Sequence, residues 1–215
     1  MLRDETRKAG ALLIFDEVMS FRVDSGGAQP VFDVEPDLTA FAKIIGGGFP
    51  VGAFGGAHDV MMQFSPFGGT AHQSGTFNAN PVTMSAGLAA MRLMTPDEFT
   101  RLNRLSERLM EGFRAGFAEA SIKGQVTGYG SMLAVHFSAA PVQSYRDAAQ
   151  SHRHLHALLH LALMNKGIFA ASRGMFALST PMHDAMIDDC IAKFTEALLE
   201  MRHDVEQSAP ELVAR

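Results

Sequence analysis

The sequence predicts an α/β protein in two parts, with a parallel α/β region over residues 1–110 and a smaller α+β region over residues 111–215. Three observations predict this class. Short continuous apolar runs are typical of strands buried in a parallel sheet. Loops rich in glycine, proline and polar residues separate these runs, and amphipathic helical patterns follow from residue 81. Beyond the second of these helices, alternating and helical patterns are mixed, which indicates a separate small region.

Three short strands are expected in the first region. Residues 11–15, ALLIF, form a first apolar run that ends at Asp16. Residues 38–43, LTAFAK, form a second run with Lys43 at its carboxyl end, and residues 51–56, VGAFGG, form a third. Each run is too short and too uniformly apolar for an amphipathic helix. We therefore expect these strands to lie in a parallel sheet.

Two helices are expected next. Pro81 suits the first turn of a helix that continues to about Met94, because proline fixes the backbone angle of that position and needs no amide donor there. Thr95 is a suitable cap for a second helix, which runs to about Ala120.

The second region mixes strands and helices. Residues 125–138 alternate like a strand pair, and residues 152–167 predict a helix closed by its final glycine. Short strands are expected at 168–170 and 175–179. Residues 184–205 have the apolar spacing of a closing amphipathic helix.

Composition excludes several functional classes. The net charge of −5 and the pI near 6.0 argue against a nucleic-acid surface. The N-terminus is charged and unlike a secretory signal, and no apolar run approaches the length of a membrane span. Cys190 is the single cysteine, lies in a helical pattern and excludes an internal disulfide, which favours a reducing cytoplasm and a core position.

Histidines at helical spacing raise the question of a metal site. His152, His156 and His160 share one helical face, but no glutamate beside them and no cysteine cluster completes a ligand set. We therefore expect a solvated or half-buried helix face and no metal.

Asp16 and Lys43 both end predicted parallel strands, and ligands bind at that edge of an open α/β sheet. Apolar neighbours on both sides would partly desolvate the lysine and favour its neutral amine, which can form a Schiff base. Gly46, Gly47 and Gly48 allow a sharp turn and a close approach of backbone to a flat ligand. A carboxylate opposite would suit a pyridinium nitrogen. Pyridoxal phosphate is thus one option, while a surface lysine and a capping or metal-binding aspartate remain alternatives.

Three segments carry a more specific signal: LLIFDEV, PDLTAFAKIIGGGFPVGAFGG and SGTFNANPVTMSAGLAAM. In order and spacing they resemble the class III pyridoxal-phosphate aminotransferases, in the branch of glutamate-1-semialdehyde aminomutase and its amino-acid aminotransferase relatives. The resemblance implies a fold type I large domain, with residues 1–110 as its C-terminal half, followed by a small domain at 111–215. It also implies pyridoxal 5'-phosphate as the cofactor, and an amino acid and a keto acid as substrates.

The resemblance also implies roles for individual residues. Lys43 would hold the cofactor as a Schiff base and then move a proton, while Asp16 would pair with the ring nitrogen. Val18 would pack on one ring face, although a lone valine is more simply a core residue. Gly75 and Thr76 would bind the cofactor phosphate, or belong to an ordinary polar loop. Because this threonine serves the neighbouring subunit in the family, a homodimer with shared active sites is implied.

Arg173 is a candidate substrate-binding residue. It follows one predicted short strand and precedes another, in a region that faces the substrate in related enzymes. Its guanidinium suits bidentate binding of a carboxylate. The alternative is a surface arginine in a turn closed by Gly174.

Two departures from the family pattern matter. The aminomutase usually has GTLSGNP and lacks the RGMFALS segment, whereas this chain has GTFNANP and RGMFALS, closer to aminotransferases of α- or β-amino acids. The chain also begins where such a protein is nearly half finished. We therefore expect a fragment, one half of a split enzyme completed by another chain, or an inactive truncation.

Transamination is accordingly the leading interpretation. The alternatives are intramolecular amino transfer, as in the aminomutase, and a non-catalytic partner of a full-length relative. A nucleotide-binding domain is disfavoured, because KIIGGGFP matches neither the dinucleotide fingerprint nor the P-loop.

Overall fold

The computed structural model describes residues 1–213, which divide into two compact units, Met1–Phe99 and a second unit from Thr100 onward. The division falls early in the helix Pro96–Glu119, whereas the predicted boundary near residue 110 lies further along the same helix. The bounds 1–110 and 111–215 stay a prediction. In the described part of the chain, no helix is both long enough and apolar enough to cross a membrane.

The first unit contains a three-stranded sheet in the order β1-β2-β3, with strands β1 (Ile14–Asp16), β2 (Leu38–Ala42) and β3 (Gly52–Gly56). Strands β1 and β2 are parallel, as predicted, and Asp16 lies opposite Ala40. Strand β3 is antiparallel to β2, so the expectation of a uniformly parallel sheet is wrong. Residues 43–51 explain the difference, because they are too few for the crossover that parallel pairing requires.

Helices alternate with these strands along the chain, and one of them contacts the segment that follows β2. The helix predicted at Pro81 is confirmed: the Asn80 side chain accepts a hydrogen bond of 3.0 Å from Thr83 N and so caps the helix. The helix predicted after Thr95 is also confirmed. In order, the helices are α1 (Leu2–Lys8), α2 (Gln29–Phe32), α3 (His58–Met61), α4 (Pro81–Leu93) and α5 (Pro96–Glu119), and most of α5 belongs to the second unit.

Glycines bring α4 into backbone contact with the segment that follows β2. A Cβ atom on Gly87 would lie 2.1 Å from Ile45 O, and one on Gly47 would lie 2.3 Å from Ala86 O. The predicted sharp turn is present, with φ of +59° at Gly47 and +96° at Gly48. The side of Gly47 expected to admit a flat ligand is instead filled by the helix.

We predict that Gly87→Ala destabilises the first unit by about 2 kcal/mol, because a new methyl group would overlap Ile45 O. The steric overlap alone would cost more, but the higher helix propensity of alanine offsets about 1 kcal/mol of that cost. Gly52→Ala is the matched control, since a Cβ atom there would have no heavy atom within 4 Å. Urea unfolding measures both variants, and equal midpoints would contradict the packing argument.

The second unit also contains a three-stranded sheet, which is antiparallel throughout and has the order β4-β5-β6. The predicted strand pair and both predicted helices are confirmed. The strand expected at 168–170 is wrong: Ile168 N donates to Leu163 O at 2.8 Å, so this segment closes the preceding helix instead. The elements are β4 (Gln125–Tyr129), β5 (Met132–His136), α6 (Tyr145–Ala148), α7 (Arg153–Asn165), β6 (Met175–Ala177) and α8 (Asp184–Ser208).

Aromatic side chains fill the core of the second unit. Phe113 stacks on Phe194 with ring centroids 3.9 Å apart, and its edge meets Phe176 at 5.0 Å. Phe117 contacts both Phe194 and Phe137 in edge-to-face geometry. This packing joins α5 and α8 to the sheet and gives the second unit a well-filled core.

A buried histidine makes the second unit sensitive to acid. A hydrogen bond of 2.8 Å joins Ser151 Oγ to His156 Nε2. Burial, with a smaller contribution from His136, lowers the pKa of His156 to about 4. Because the unfolded chain binds this proton near pH 6.5, the stabilisation is complete above that pH and is lost as pH falls towards 4.

We therefore predict that the free energy of unfolding of the second unit falls between pH 6.5 and 4, and that His156→Gln flattens this dependence. Burial also lowers the pKa of His136, so part of the slope will persist. His203→Gln, at an exposed position of α8, is the control. Urea titrations across this pH range measure the effect, and a slope unchanged by His156→Gln would refute the assignment.

Candidate active site

Asp16 and Lys43 lie at the carboxyl ends of two neighbouring parallel strands, as predicted. Asp16 is the last residue of β1 and lies opposite Ala40 of β2, while Lys43 directly follows Ala42 at the end of β2. The three residues from Ala40 to Lys43 advance roughly 10 Å along the strand. The sheet thus places Asp16 and Lys43 at the same edge, on neighbouring strands.

The backbone of Lys43 adopts an uncommon conformation. Its φ is +52°, in the left-handed region, and it opens the 3₁₀ turn Lys43–Gly46. This conformation costs about 1 kcal/mol for a residue other than glycine. In a continued strand, Lys43 would occupy the face opposite Ala42 and Asp16, because side chains alternate. The left-handed turn ends that alternation at the lysine, and such strain is concentrated at functional positions.

The Lys43 side chain is exposed. The desolvation expected from its apolar neighbours is therefore not present in this chain, because Ile44 and Ile45 are themselves only half-buried. Within residues 1–213, no ion pair or side-chain hydrogen bond involves its ammonium group. The amine is available to a ligand.

The Asp16 carboxylate is held by the turn that follows β1. Its Oδ1 atom accepts a hydrogen bond of 3.0 Å from Val18 N. The carboxylate is exposed, and Val18 is half-buried. A short turn of this kind limits the rotation of the aspartate and leaves Oδ2 for another donor.

Glu17 is a residue of this region that the sequence analysis missed. It is fully buried, although it lies between exposed Asp16 and half-buried Val18. The adjacent acids Asp16 and Glu17 were the available signal for this burial. Side chains alternate at a strand end, so two consecutive acids lie on opposite faces and one of them can be buried.

The loop that carries Gly75 and Thr76 precedes α4. Asn78 N donates to Gly75 O at 3.0 Å, and a Cβ atom on Gly75 would lie 2.8 Å from Asn78 Oδ1, so a side chain at this position would displace the Asn78 amide. Both Gly75 and Thr76 are exposed, as are all residues from 71 to 79. The polar groups of the loop are therefore accessible to solvent. Binding of phosphate by Thr76 stays a prediction.

Arg173 belongs to the second unit. It lies in a turn in which Gly174 N donates to Ala171 O at 2.9 Å, and Gly174 has a φ of +80°. The guanidinium is exposed, and its Nη2 atom lies 3.7 Å from the sulfur of Met175. Its predicted role in substrate binding is compatible with this exposure and stays a prediction.

The histidines at and near the start of α7 do not share one environment. His156 is buried against Ser151, whereas His152 Nε2 lies 3.0 Å from a carboxylate oxygen of Glu211. Across residues 1–213, no three His, Cys, Asp or Glu side chains are grouped so that they could hold a metal ion.

The family is decided by comparison with known proteins. A family model described as aminotransferase class-III matches residues 1–199. The chain belongs to this family. Class III aminotransferases are pyridoxal-phosphate enzymes, and the resemblance seen in the three sequence segments is confirmed.

Individual relatives are similar over nearly the whole chain. The glutamate-1-semialdehyde 2,1-aminomutase 2 of Geobacillus thermodenitrificans is 40% identical over 94% of this chain and 47% of its own length. A solved ω-transaminase of Sphaerobacter thermophilus is 47% identical with a TM-score of 0.86, over 94% of this chain and 47% of the other. A solved β-phenylalanine aminotransferase of Variovorax paradoxus is 37% identical with a TM-score of 0.86, over 100% of this chain and 48% of the other.

These matches confirm the predicted fold class, part of a fold type I large domain followed by a small α+β domain. The chain spans about half the length of the curated relatives it matches.

The residues present fit pyridoxal phosphate. The unpaired amine of Lys43 matches the aldehyde of the cofactor, and the Asp16 carboxylate matches its ring nitrogen. Val18, two residues after Asp16, has a half-buried apolar side chain. This class III aminotransferase chain therefore carries an amine, a carboxylate and an apolar surface suited to the cofactor.

Proposed function

We propose that the chain contributes the cofactor-binding half of a pyridoxal-phosphate-dependent aminotransferase, which moves an amino group from an α- or β-amino acid to a keto acid. The observation that carries this proposal is the placement of Asp16 and Lys43 on neighbouring parallel strands, with a strained backbone at an unpaired lysine. When bound, pyridoxal phosphate supplies an electron-withdrawing ring that stabilises negative charge on the substrate carbon.

Each residue has a distinct task in this proposal. The Lys43 amine holds the cofactor and, once released, carries a proton to and from the substrate carbon. The Asp16 carboxylate accepts a hydrogen bond from the ring nitrogen, while Val18 N keeps its other oxygen in place at 3.0 Å. Val18 covers one face of the ring, and Gly75 and Thr76 bind the phosphate.

An assembled enzyme requires further polypeptide. Strand β1 pairs only with β2 among the described strands, so its other edge is open, and unpaired edges invite pairing. Large apolar side chains of the Thr76 loop are also exposed, with Phe67 at 95% and Phe77 at 82%. We propose a homodimer in which Thr76 serves the partner's site, completed by polypeptide that supplies the N-terminal half of the large domain. The single cysteine favours a cytoplasmic location.

The test uses the assembled enzyme, meaning this chain together with the polypeptide that completes its sheet. Incubation with pyridoxal phosphate, an α- or β-amino acid and a keto acid should yield the exchanged amino and keto products. Glutamate-1-semialdehyde is the comparison substrate, because a relative 40% identical is an aminomutase. An isomerised product without exchange would favour the aminomutase, and absence of both products would favour an inactive partner.

Arg173 provides a test of substrate recognition. If its guanidinium binds the substrate carboxylate, Arg173→Ala should raise the KM of the amino donor about 10- to 100-fold, with a smaller effect on kcat. Arg173→Lys should recover only part of the loss, because an ammonium group cannot form the bidentate contact. Exposed Arg153→Ala is the control. An unchanged KM would assign Arg173 to the surface turn alone.

A further inference from the structure

The carboxylate of Glu17 is fully buried and accepts hydrogen bonds from one backbone amide and one hydroxyl. Ala28 N lies 2.8 Å from Oε1 and 3.1 Å from Oε2, and the Ser20 hydroxyl donates to Oε2. Removing a carboxylate from water is costly unless hydrogen bonds replace its hydration. These contacts close the segment 17–28 on itself, and we call them the Glu17 brace.

Gly27 shows that the loop is shaped around this carboxylate. Its φ is +72°, and a Cβ atom there would lie 2.8 Å from Glu17 Oε1. A side chain at position 27 would therefore displace the carboxylate from Ala28 N. Position 27 therefore favours glycine for two reasons, the left-handed backbone conformation and the close approach of the Glu17 carboxylate.

The braced segment is attached to β2 immediately before Lys43. Glu17 N donates to Ala40 O at 2.9 Å, and the edge of Phe21 meets Phe41 with centroids 5.0 Å apart. Just beyond the brace, Gln29 Nε2 donates to Thr39 Oγ1 at 3.2 Å. Three consecutive residues of β2 thus contact the segment that begins directly after Asp16.

We propose that Glu17 is a positioning residue, which fixes the distance between the Asp16 carboxylate and the Lys43 amine through the Glu17 brace. It touches neither cofactor nor substrate. Its carboxylate holds the segment that carries Val18 and Phe21, and this segment locks β1 to β2 at the edge where the two functional side chains emerge. The inference rests on the proposed function for its catalytic consequence, but the brace itself is independent of it.

Glu17→Gln tests the brace at nearly constant volume. The amide keeps one acceptor for Ala28 N, while its NH₂ group replaces the acceptor that Ser20 uses, so the contact weakens without a cavity. Ser20→Ala is a milder second variant in case the first folds poorly. Glu35→Gln, at an exposed glutamate of the same unit, is the matched control.

Hydrogen exchange on the assembled enzyme without cofactor provides the first measurement. Glu17→Gln should speed exchange roughly 10-fold in peptides covering both 17–28 and 38–43, the change expected for loss of one charge-assisted hydrogen bond. Faster exchange in 17–28 alone would overturn the proposal, because the brace would then be a local loop contact.

Cofactor binding provides the second measurement. We expect Glu17→Gln to raise the Kd of pyridoxal phosphate and to lower kcat, each about 10-fold, and to leave the KM of the amino donor within about twofold of wild type. Unchanged Kd and kcat in a variant with faster exchange would overturn the positioning role. If the wild-type enzyme itself fails to bind the cofactor, the proposed function fails, and the exchange data alone decide whether β2 depends on the brace.

Discussion

Replacing Lys43 with alanine is expected to abolish covalent attachment of pyridoxal phosphate and to lower amino transfer by about 10³-fold or more in the assembled enzyme. The Lys43 amine directly follows β2 at this edge of the sheet and is able to bond to an aldehyde and to move a proton afterwards. Borohydride reduction followed by peptide mass spectrometry should add the cofactor's mass to the Lys43 peptide in wild type and not in the variant.

Two further variants make this result specific. Lys8→Ala removes another exposed lysine of the same unit, one paired with Glu5 at 2.8 Å, and should leave labelling and activity unchanged. Lys43→Gly should be as inactive as Lys43→Ala but more stable by about 1 kcal/mol, because glycine adopts a φ of +52° without strain. Cofactor label on another lysine in wild type would refute the assignment.

The left-handed backbone at Lys43 illustrates what sequence patterns do not reveal. Apolar runs located β1 and β2 and placed Asp16 and Lys43 at their carboxyl ends, because a short, uniformly apolar run is typical of a strand. Nothing in that signature specifies where a lysine side chain points once the strand ends. The strain at Lys43 depends on the turn and on α4 behind it, which are tertiary features.

The glycines after Lys43 show a second limit. The run of three glycines correctly predicted a turn. Gly47, however, has no room for a side chain, because Ala86 O of α4 lies against it. A single sequence cannot distinguish a glycine that admits a ligand from one that admits a helix. The direction of β3, in contrast, was predictable, since residues 43–51 are too few for a crossover.

Burial at the site was the least predictable feature. Apolar residues around Lys43 suggested a desolvated amine, yet the side chain is exposed, whereas Glu17 is fully buried beside an exposed aspartate. Burial depends on what packs over a residue from elsewhere in the polypeptide. The chain spans about half the length of the curated relatives it matches.

Asp16→Asn is expected to lower kcat by roughly 10²- to 10³-fold while leaving the cofactor attached to Lys43. Asparagine has nearly the shape of aspartate and can still accept the hydrogen bond from Val18 N, which is 3.0 Å long in the wild-type chain. The substitution therefore removes the negative charge and retains the turn. Without that charge the ring nitrogen loses its proton, and the ring withdraws electrons less strongly from the substrate carbon.

Three measurements separate loss of charge from loss of structure in this variant. Reductive labelling at Lys43 should match wild type, the urea midpoint should shift little, and kcat should fall. Asp33→Asn is the matched control, because Asp33 is exposed and its φ of +50° suits asparagine equally well. If Asp16→Asn retained full kcat, the carboxylate would have no contact with the ring nitrogen, and Asp16 would serve only to hold the turn at Val18.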